Sequence, residues 1–144
     1  MSEEKRQQVA GEPVVEVTKG PATIAPARIW KAFAYSMQGF AGAWRTEGAF
    51  RQEVLAALVL VPVAIWVPVT PVEHVLLLAS VLLVMVVELL NSSVEAAIDR
   101  ISAERHPLSK KAKDQGSAAV LIAIVIAFVT WGYILGPVAF HLVS

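Results

Sequence analysis

The residues best suited to chemistry lie in the run ELLNSSVEAAID, residues 88–99. Glu88, Asn91, Ser92, Glu95 and Asp99 stand at offsets of 3, 4, 7 and 11 from the first. Each residue of an α-helix turns about 100°, so all five share one face. Glu88 and Glu95 are then roughly 10 Å apart along the axis. Paired carboxylates with an amide between them suit a hard divalent cation, which prefers oxygen ligands. An unbroken apolar run, residues 81–87, precedes Glu88. A carboxylate deep in lipid costs roughly 2.5–3.5 kcal/mol on insertion scales, so its presence there argues for function. The competing reading is a polar seam that pairs helices, or a stripe emerging into water. For Asp99, next to the following loop, that reading is preferred.

Two further polar groups flank this stripe. Lys113, Asp114 and Ser117 have helical spacing. A lysine there suits a phosphate; alone, it reads better as a membrane-edge anchor. Glu47, Arg51, Gln52 and Glu53 come before the first apolar run. Other chemistry is missing from the sequence. There is no GxxxxGKS or GxxxxGKT phosphate loop, no kinase HRD or DFG, and no HExxH. His74, His106 and His141 are scattered, and the absence of cysteine excludes disulfides, thiolate zinc sites and cysteine nucleophiles. The residues alone point to an intramembrane carboxylate site beside phosphate-suited cations.

The elements that must position these groups are apolar. Of 144 residues, 56% are hydrophobic and 17% charged, and the mean hydropathy is +0.62. A soluble domain of this size would expose too much apolar surface, so membrane residence is expected. The formal net charge of zero gives no field directed at nucleic acid. Residues 1–27 contain Pro13, Pro21 and Pro26 without periodicity, and are expected to form a flexible extension rather than a signal peptide. From Arg28, the residues Ile29, Trp30, Phe33, Met37, Phe40 and Trp44 recur at steps of three and four. That pattern predicts an amphipathic surface helix over about 28–48, lying in the membrane interface. Three spans follow, at about 49–69, 71–99 and 113–140. Thr70, Pro71 and Glu73 give the second a capping-box start. Pro62 is expected to kink the first, and Gly132 with Gly136 offers a GxxxG contact in the third.

All twelve lysines and arginines precede the apolar run of the first span, which begins at Val54, or lie between the second span and the apolar run of the third, which begins at Ser117. The positive-inside rule then puts the N-terminus and second loop in the cytoplasm and the C-terminus outside. The three polar groups converge on that cytoplasmic level.

The segments ELLNSSVEAAIDR (88–100), AKDQGSAAV (112–120) and EGAFRQE (47–53) closely resemble the bacterial integral-membrane diacylglycerol kinase family. The resemblance covers about residues 28–135. It implies an all-α membrane protein, with three transmembrane helices and an N-terminal surface helix, assembled as a homotrimer in the inner membrane over residues 28–144. It also implies transfer of the γ-phosphate of Mg-ATP to the hydroxyl of 1,2-diacylglycerol, giving phosphatidate. On this resemblance Glu88 is the general base and Asn91 a polar active-site residue. Glu47 and Glu95 match the magnesium ligands. Arg28, Tyr35, Glu47, Glu95, Glu104, Arg105, His106, Lys113 and Asp114 match nucleotide contacts. The lipid surface is implied at Arg28, Ala32, Phe33, Ala34, Tyr35, Ser36, Met37, Ala41, Gly42, Ala43, Trp44, Ala49, Phe50, Arg51, Gln52, Glu53, Trp66, Glu88 and Ser117.

The nearest rival is undecaprenol kinase, with the same fold; the segment from Gly116 to Ala119 sides with the diacylglycerol enzymes. A rival from another class is a small oligomeric channel or transporter subunit whose Glu88 lines a pore. That reading leaves Glu47, Lys113 and Asp114 at one level unexplained.

Overall fold

A computed structural model describes residues 26–101 and 106–143, with the side chains of Ala27 and of residues 141–143 left aside. The expected extension over residues 1–25, and Glu104 and Arg105 of the nucleotide loop, fall outside the described residues. Four helices account for the fold: α1 (Pro26–Thr46), α2 (Gly48–Trp66), α3 (Pro71–Ile101) and α4 (Pro107–Val143). The last three are long and apolar enough to cross a membrane, and the chain is a multi-pass membrane protein. It separates into two compact units, residues 1–35 and residues 36–144. In the first, the rings of Trp30 and Phe33 meet edge to face at 6.3 Å. All further packing described below belongs to the second.

Sequence explains each boundary. Glu47 alone interrupts the path from α1 to α2, with extended backbone at φ −104° and ψ 116°. α2 stops at Trp66, short of the expected end at residue 69, because Pro68 disfavours helical geometry in Val67. Pro68 also cannot donate to the carbonyl of Ala64, one turn back. The His74 ring replaces that donor, with Nδ1 2.5 Å from Ala64 O. Since a carbonyl only accepts, the proton sits on Nδ1. α3 opens on the expected capping box. Glu73 Oε2 accepts from Thr70 N and Thr70 Oγ1, each at 2.7 Å, and Thr70 Oγ1 accepts from Glu73 N at 3.4 Å. The helix carrying the third span starts earlier than the span itself, at Pro107. Proline at the first helical position costs no hydrogen bond, and His106 before it acts as the cap, its Nδ1 accepting from Leu108 N at 3.2 Å.

α3 is the middle element, packed against α4 and α2. Ala64, Leu77 and Ile134 form the buried core, with Val67, Val69, Leu78, Trp131 and Leu135 against them. Ser80 links this core to α4, donating to Leu77 O at 2.8 Å and accepting from Trp131 Nε1 at 3.2 Å. Most large apolar side chains lie outside the core; Phe128, Tyr133 and Phe140 are well exposed. In water such a surface would drive aggregation, whereas lipid tails cover it without cost. Gly132 and Gly136 have no atom within 4 Å of where a Cβ would stand, so the expected GxxxG approach is not made within the protomer.

Candidate functional site

α3 is 31 residues long, roughly 46 Å at 1.5 Å per residue, against a hydrocarbon core of about 30 Å. Counted from Pro71, Glu88 is roughly 25 Å along the axis and Glu95 roughly 36 Å. For an untilted helix whose hydrocarbon span begins at Pro71, this puts Glu88 just inside the far boundary and Glu95 and Asp99 beyond it. Burial follows the same order. Glu88 is 5% exposed, Asn91 and Glu95 are half-buried, and Asp99 is exposed.

Carboxylates gather around Glu88. Glu95 on the same helix, Glu47 at the start of α2 and Glu53 within α2 all lie within electrostatic reach of it. The sequence separates these groups by up to 48 positions, and the folding of α2 against α3 brings them together. Glu47 occupies the break before α2, where its Oε1 accepts from Thr46 Oγ1 at 3.1 Å. Arg51 holds that break in place. Its Nη1 donates to the carbonyls of Trp44 at 3.1 Å and Arg45 at 3.3 Å, the otherwise open end of α1. Arg51, expected at the lipid surface, thus clamps the joint that carries Glu47.

α4 supplies cations. Lys113 Nζ meets Asp99 Oδ1 at 2.5 Å and lies within electrostatic reach of Glu95. Asp99, read from sequence as the stripe's exit into water, is therefore the partner of the candidate phosphate-binding lysine. Asp114 pairs with Lys110 one turn back, also at 2.5 Å. Asn91 Nδ2 donates to Glu95 Oε1 at 3.1 Å. Its Oδ1 and Glu53 Oε2 are buried without a hydrogen-bond partner. Buried polar atoms normally find partners, and at a site such atoms are open to a ligand.

Two cavities adjoin the cluster. One of about 500 Å³ lies between α2, α3 and α4. Gln52 and Glu53 supply its polar end; Leu60, Val84, Ile124, Ala127, Phe128 and Trp131 supply its apolar walls. The other, of about 460 Å³, lies between the second half of α1 and α3. Ser36, Thr46, Ser92 and Ser93 line it with hydroxyls beside Glu47. One cavity suits an acyl chain with a polar head; the other sets hydroxyls and Glu47 beside apolar Phe40, Ala43 and Leu89, with no cation among its lining residues.

The remaining expected residues divide by location. Arg28, Ala32, Phe33, Ala34 and Tyr35 are exposed on α1 in the first unit. Ser36 and Ala43 flank the second cavity, and Ala49 the first. Met37, Ala41, Gly42 and Trp44 are exposed on the same stretch of α1. Phe50 is buried and stacks on Phe40 at 6.4 Å. Ser117 is exposed on α4. Trp66 is not brought to the cluster: it ends α2, 80% exposed, roughly 20 Å of helix from Glu53. Sequence reasoning missed Ser93 and Thr46, whose hydroxyls gain meaning only when α1 packs on α3; it placed Glu53 in the polar group before the first apolar run and, by resemblance, at the lipid surface, without its nearness to Glu88. Among the described residues no group of three or more histidines or carboxylates closes a metal cage. Glu47 and Glu95 are carboxylate donors of the kind magnesium accepts alongside waters and phosphate oxygens, while Asn91 Oδ1 faces Gly116 and takes no part.

Residues 34–135, more than half of the chain, match the family model described as prokaryotic diacylglycerol kinase. Named relatives agree. The diacylglycerol kinase of Escherichia coli K12 is 56% identical over 104 residues, covering 72% of this chain and 85% of the relative. That of Pseudomonas aeruginosa is 54% identical over 108 residues, covering 75% and 88%. That of Helicobacter pylori strain 26695 is 45% identical over 105 residues, covering 73% and 82%.

Proposed function

The chain belongs to the prokaryotic diacylglycerol kinase family, and from that premise we propose that it transfers the γ-phosphoryl group of ATP to the hydroxyl of 1,2-diacylglycerol, giving phosphatidate. The observation that carries this reading is the seat of Glu88. It is buried in α3 within electrostatic reach of three other carboxylates, of which Glu53 lines the apolar cavity and Glu47 the hydroxyl-lined one.

The lipid lies with its chains along the apolar cavity and its hydroxyl at the end marked by Glu53. The nucleotide occupies the hydroxyl-lined side, and Lys113, outside the lining of that cavity, reaches its phosphates from α4. Glu88 accepts the hydroxyl proton as that oxygen bonds to the γ-phosphorus; the bond to the bridging oxygen breaks and ADP leaves. Phosphoryl transfer needs positioning and charge neutralisation rather than covalent catalysis, and these residues supply both. Glu47 and Glu95 are the residues that would hold magnesium, which when bound neutralises phosphate charge. Asn91 fixes Glu95 through its amide. Arg28, Tyr35, Glu104, Arg105 and His106 add nucleotide contacts by family resemblance. The same resemblance supports a homotrimer with α1 as a surface helix. Cation placement supports a cytoplasmic N-terminus in the inner membrane.

Labelled ATP supplied to the detergent-solubilised chain with diacylglycerol or undecaprenol tests the reading. Phosphatidate is the expected product; polyprenyl phosphate would favour the rival kinase, and no transfer the channel. Removing magnesium with a chelator is expected to stop turnover, and adding it back to restore it.

A further inference from the structure

We propose that Gly116 is a positioning residue of this site: lacking a side chain, it admits the Asn91 carboxamide between α3 and α4 and thereby fixes the Glu95 carboxylate. The proposal deepens the kinase reading above and rests on it.

A Cβ at Gly116 would run into Asn91 Oδ1, and would stand 3.1 Å from Asn91 Cγ and 3.7 Å from Asn91 Cβ. The last distance is ordinary contact, so the obstacle is the carboxamide and not the backbone of α3. Turning the amide over exchanges oxygen for nitrogen and leaves the obstacle in place. Relief requires a partial turn of the amide about χ2 together with a small shift at Cγ, or a new χ1, for which in a helix one of the three rotamers is blocked by the preceding turn. Any such change takes Nδ2 away from Glu95 Oε1, which it now meets at 3.1 Å. α3 packs more extensively on α4 than on α2, so parting the two helices to make room gives up contact elsewhere.

Glycine is a poor helix former, yet Gly116 sits inside α4, as Gly132 and Gly136 do; what sets it apart is the space beside it. Among the described glycines, Gly39, Gly42, Gly132 and Gly136 have nothing within 4 Å of a would-be Cβ, and Gly48 has only the tip of Arg51 at 3.8 Å. The collision at Gly116 is with a side chain whose Oδ1 is already buried and unpartnered. The space left by the missing Cβ is what that atom occupies.

Four full-length proteins test this in vesicles: wild type, Gly116→Ala, Asn91→Ala and the double variant, each assayed for kcat, for KM and for melting midpoint. Gly116→Ala is expected to lower kcat roughly 100-fold, the scale of a misplaced catalytic group, with KM for diacylglycerol nearly unchanged. In the Asn91→Ala background the same change is expected to alter kcat less than about threefold, because contacting residues couple and the obstacle is gone. An equal loss in both backgrounds, or a Gly116→Ala enzyme with normal kcat, overturns the proposal. If Gly116→Ala fails to fold, a double variant that folds with the turnover of Asn91→Ala supports it, and one that also fails overturns it. An inactive wild type sinks the kinase reading and the positioning role with it. Coupled melting midpoints would then identify the collision as packing alone, which separates that failure from a wrong reading of Gly116.

Discussion

The two ends of α3 are built on opposite plans. At the end near Pro71, polar groups are matched. His74 serves the carbonyl that Pro68 leaves open, Thr70 and Glu73 cap one another, and Ser80 joins Leu77 to Trp131. The buried apolar core sits there as well. At the end near Glu88, carboxylates face one another, Glu53 Oε2 and Asn91 Oδ1 are buried without partners, and two cavities open alongside. A satisfied, packed end stabilises the bundle; an unsatisfied end binds ligands at the expense of stability. The helix links them, so that the first supports the second.

The comparison makes a division that mutation can break. The largest effect is expected from Glu88→Gln. It keeps the volume and removes the proton acceptor, so kcat should fall by about 10²–10⁴, the usual range for a general base. ATP binding, read by a fluorescent analogue, should persist. Near-normal turnover would remove Glu88 from the chemistry. Leu77→Ala tests the opposite end. Leu77 is fully buried, and its truncation should cost about 2–5 kcal/mol of stability through lost burial and a cavity. A melting curve should show that loss, while kcat per folded protein stays near wild type. A kcat loss matching the stability loss would mean that the ends are not separable.

Much of this organisation is legible in the sequence, for a physical reason. Helical periodicity places Glu88, Asn91, Glu95 and Asp99 on one face before any packing is known, and the Thr70 capping box depends on local chemistry alone. Relations between helices are not local. The ion pair of Asp99 with Lys113 needs α4 seated on α3, and the collision behind Gly116 needs their separation to within an ångström. Nor does periodicity disclose that Arg51 closes the end of α1, since arginine before an apolar run reads equally as a lipid or phosphate contact. Trp66 is the reverse case: the resemblance gives it with residues 49–53 as lipid surface, and α2 sets it roughly 20 Å from Glu53, a span only an extended lipid chain would cover.

A smaller effect is expected where the apolar cavity is narrowed. Ala127 lines it away from the carboxylates. Ala127→Phe should raise KM for diacylglycerol about tenfold, equivalent to roughly 1.4 kcal/mol of lost binding. KM for ATP should hold, because the hydroxyl-lined cavity shares no wall with this residue. A joint rise in both constants would mean that the cavities do not divide the substrates.

The smallest effect belongs to Asp99→Asn, and it sharpens the contrast most finely. Asp99 and Lys113 are both solvent-accessible, and exposed ion pairs contribute little to stability. The melting midpoint should therefore stay put, unlike that of Leu77→Ala. What changes is the lysine. Its charge faces Asp99, so phosphate must compete for it; a neutral amide weakens that competition. KM for ATP should fall modestly at low salt. The difference should fade as salt screens both interactions, with a Debye length near 8 Å at physiological ionic strength. A rise in KM instead would mean that Asp99 aims Lys113 at the nucleotide rather than competing for it. The ion pair would then belong to the working end of α3 and not to its scaffold.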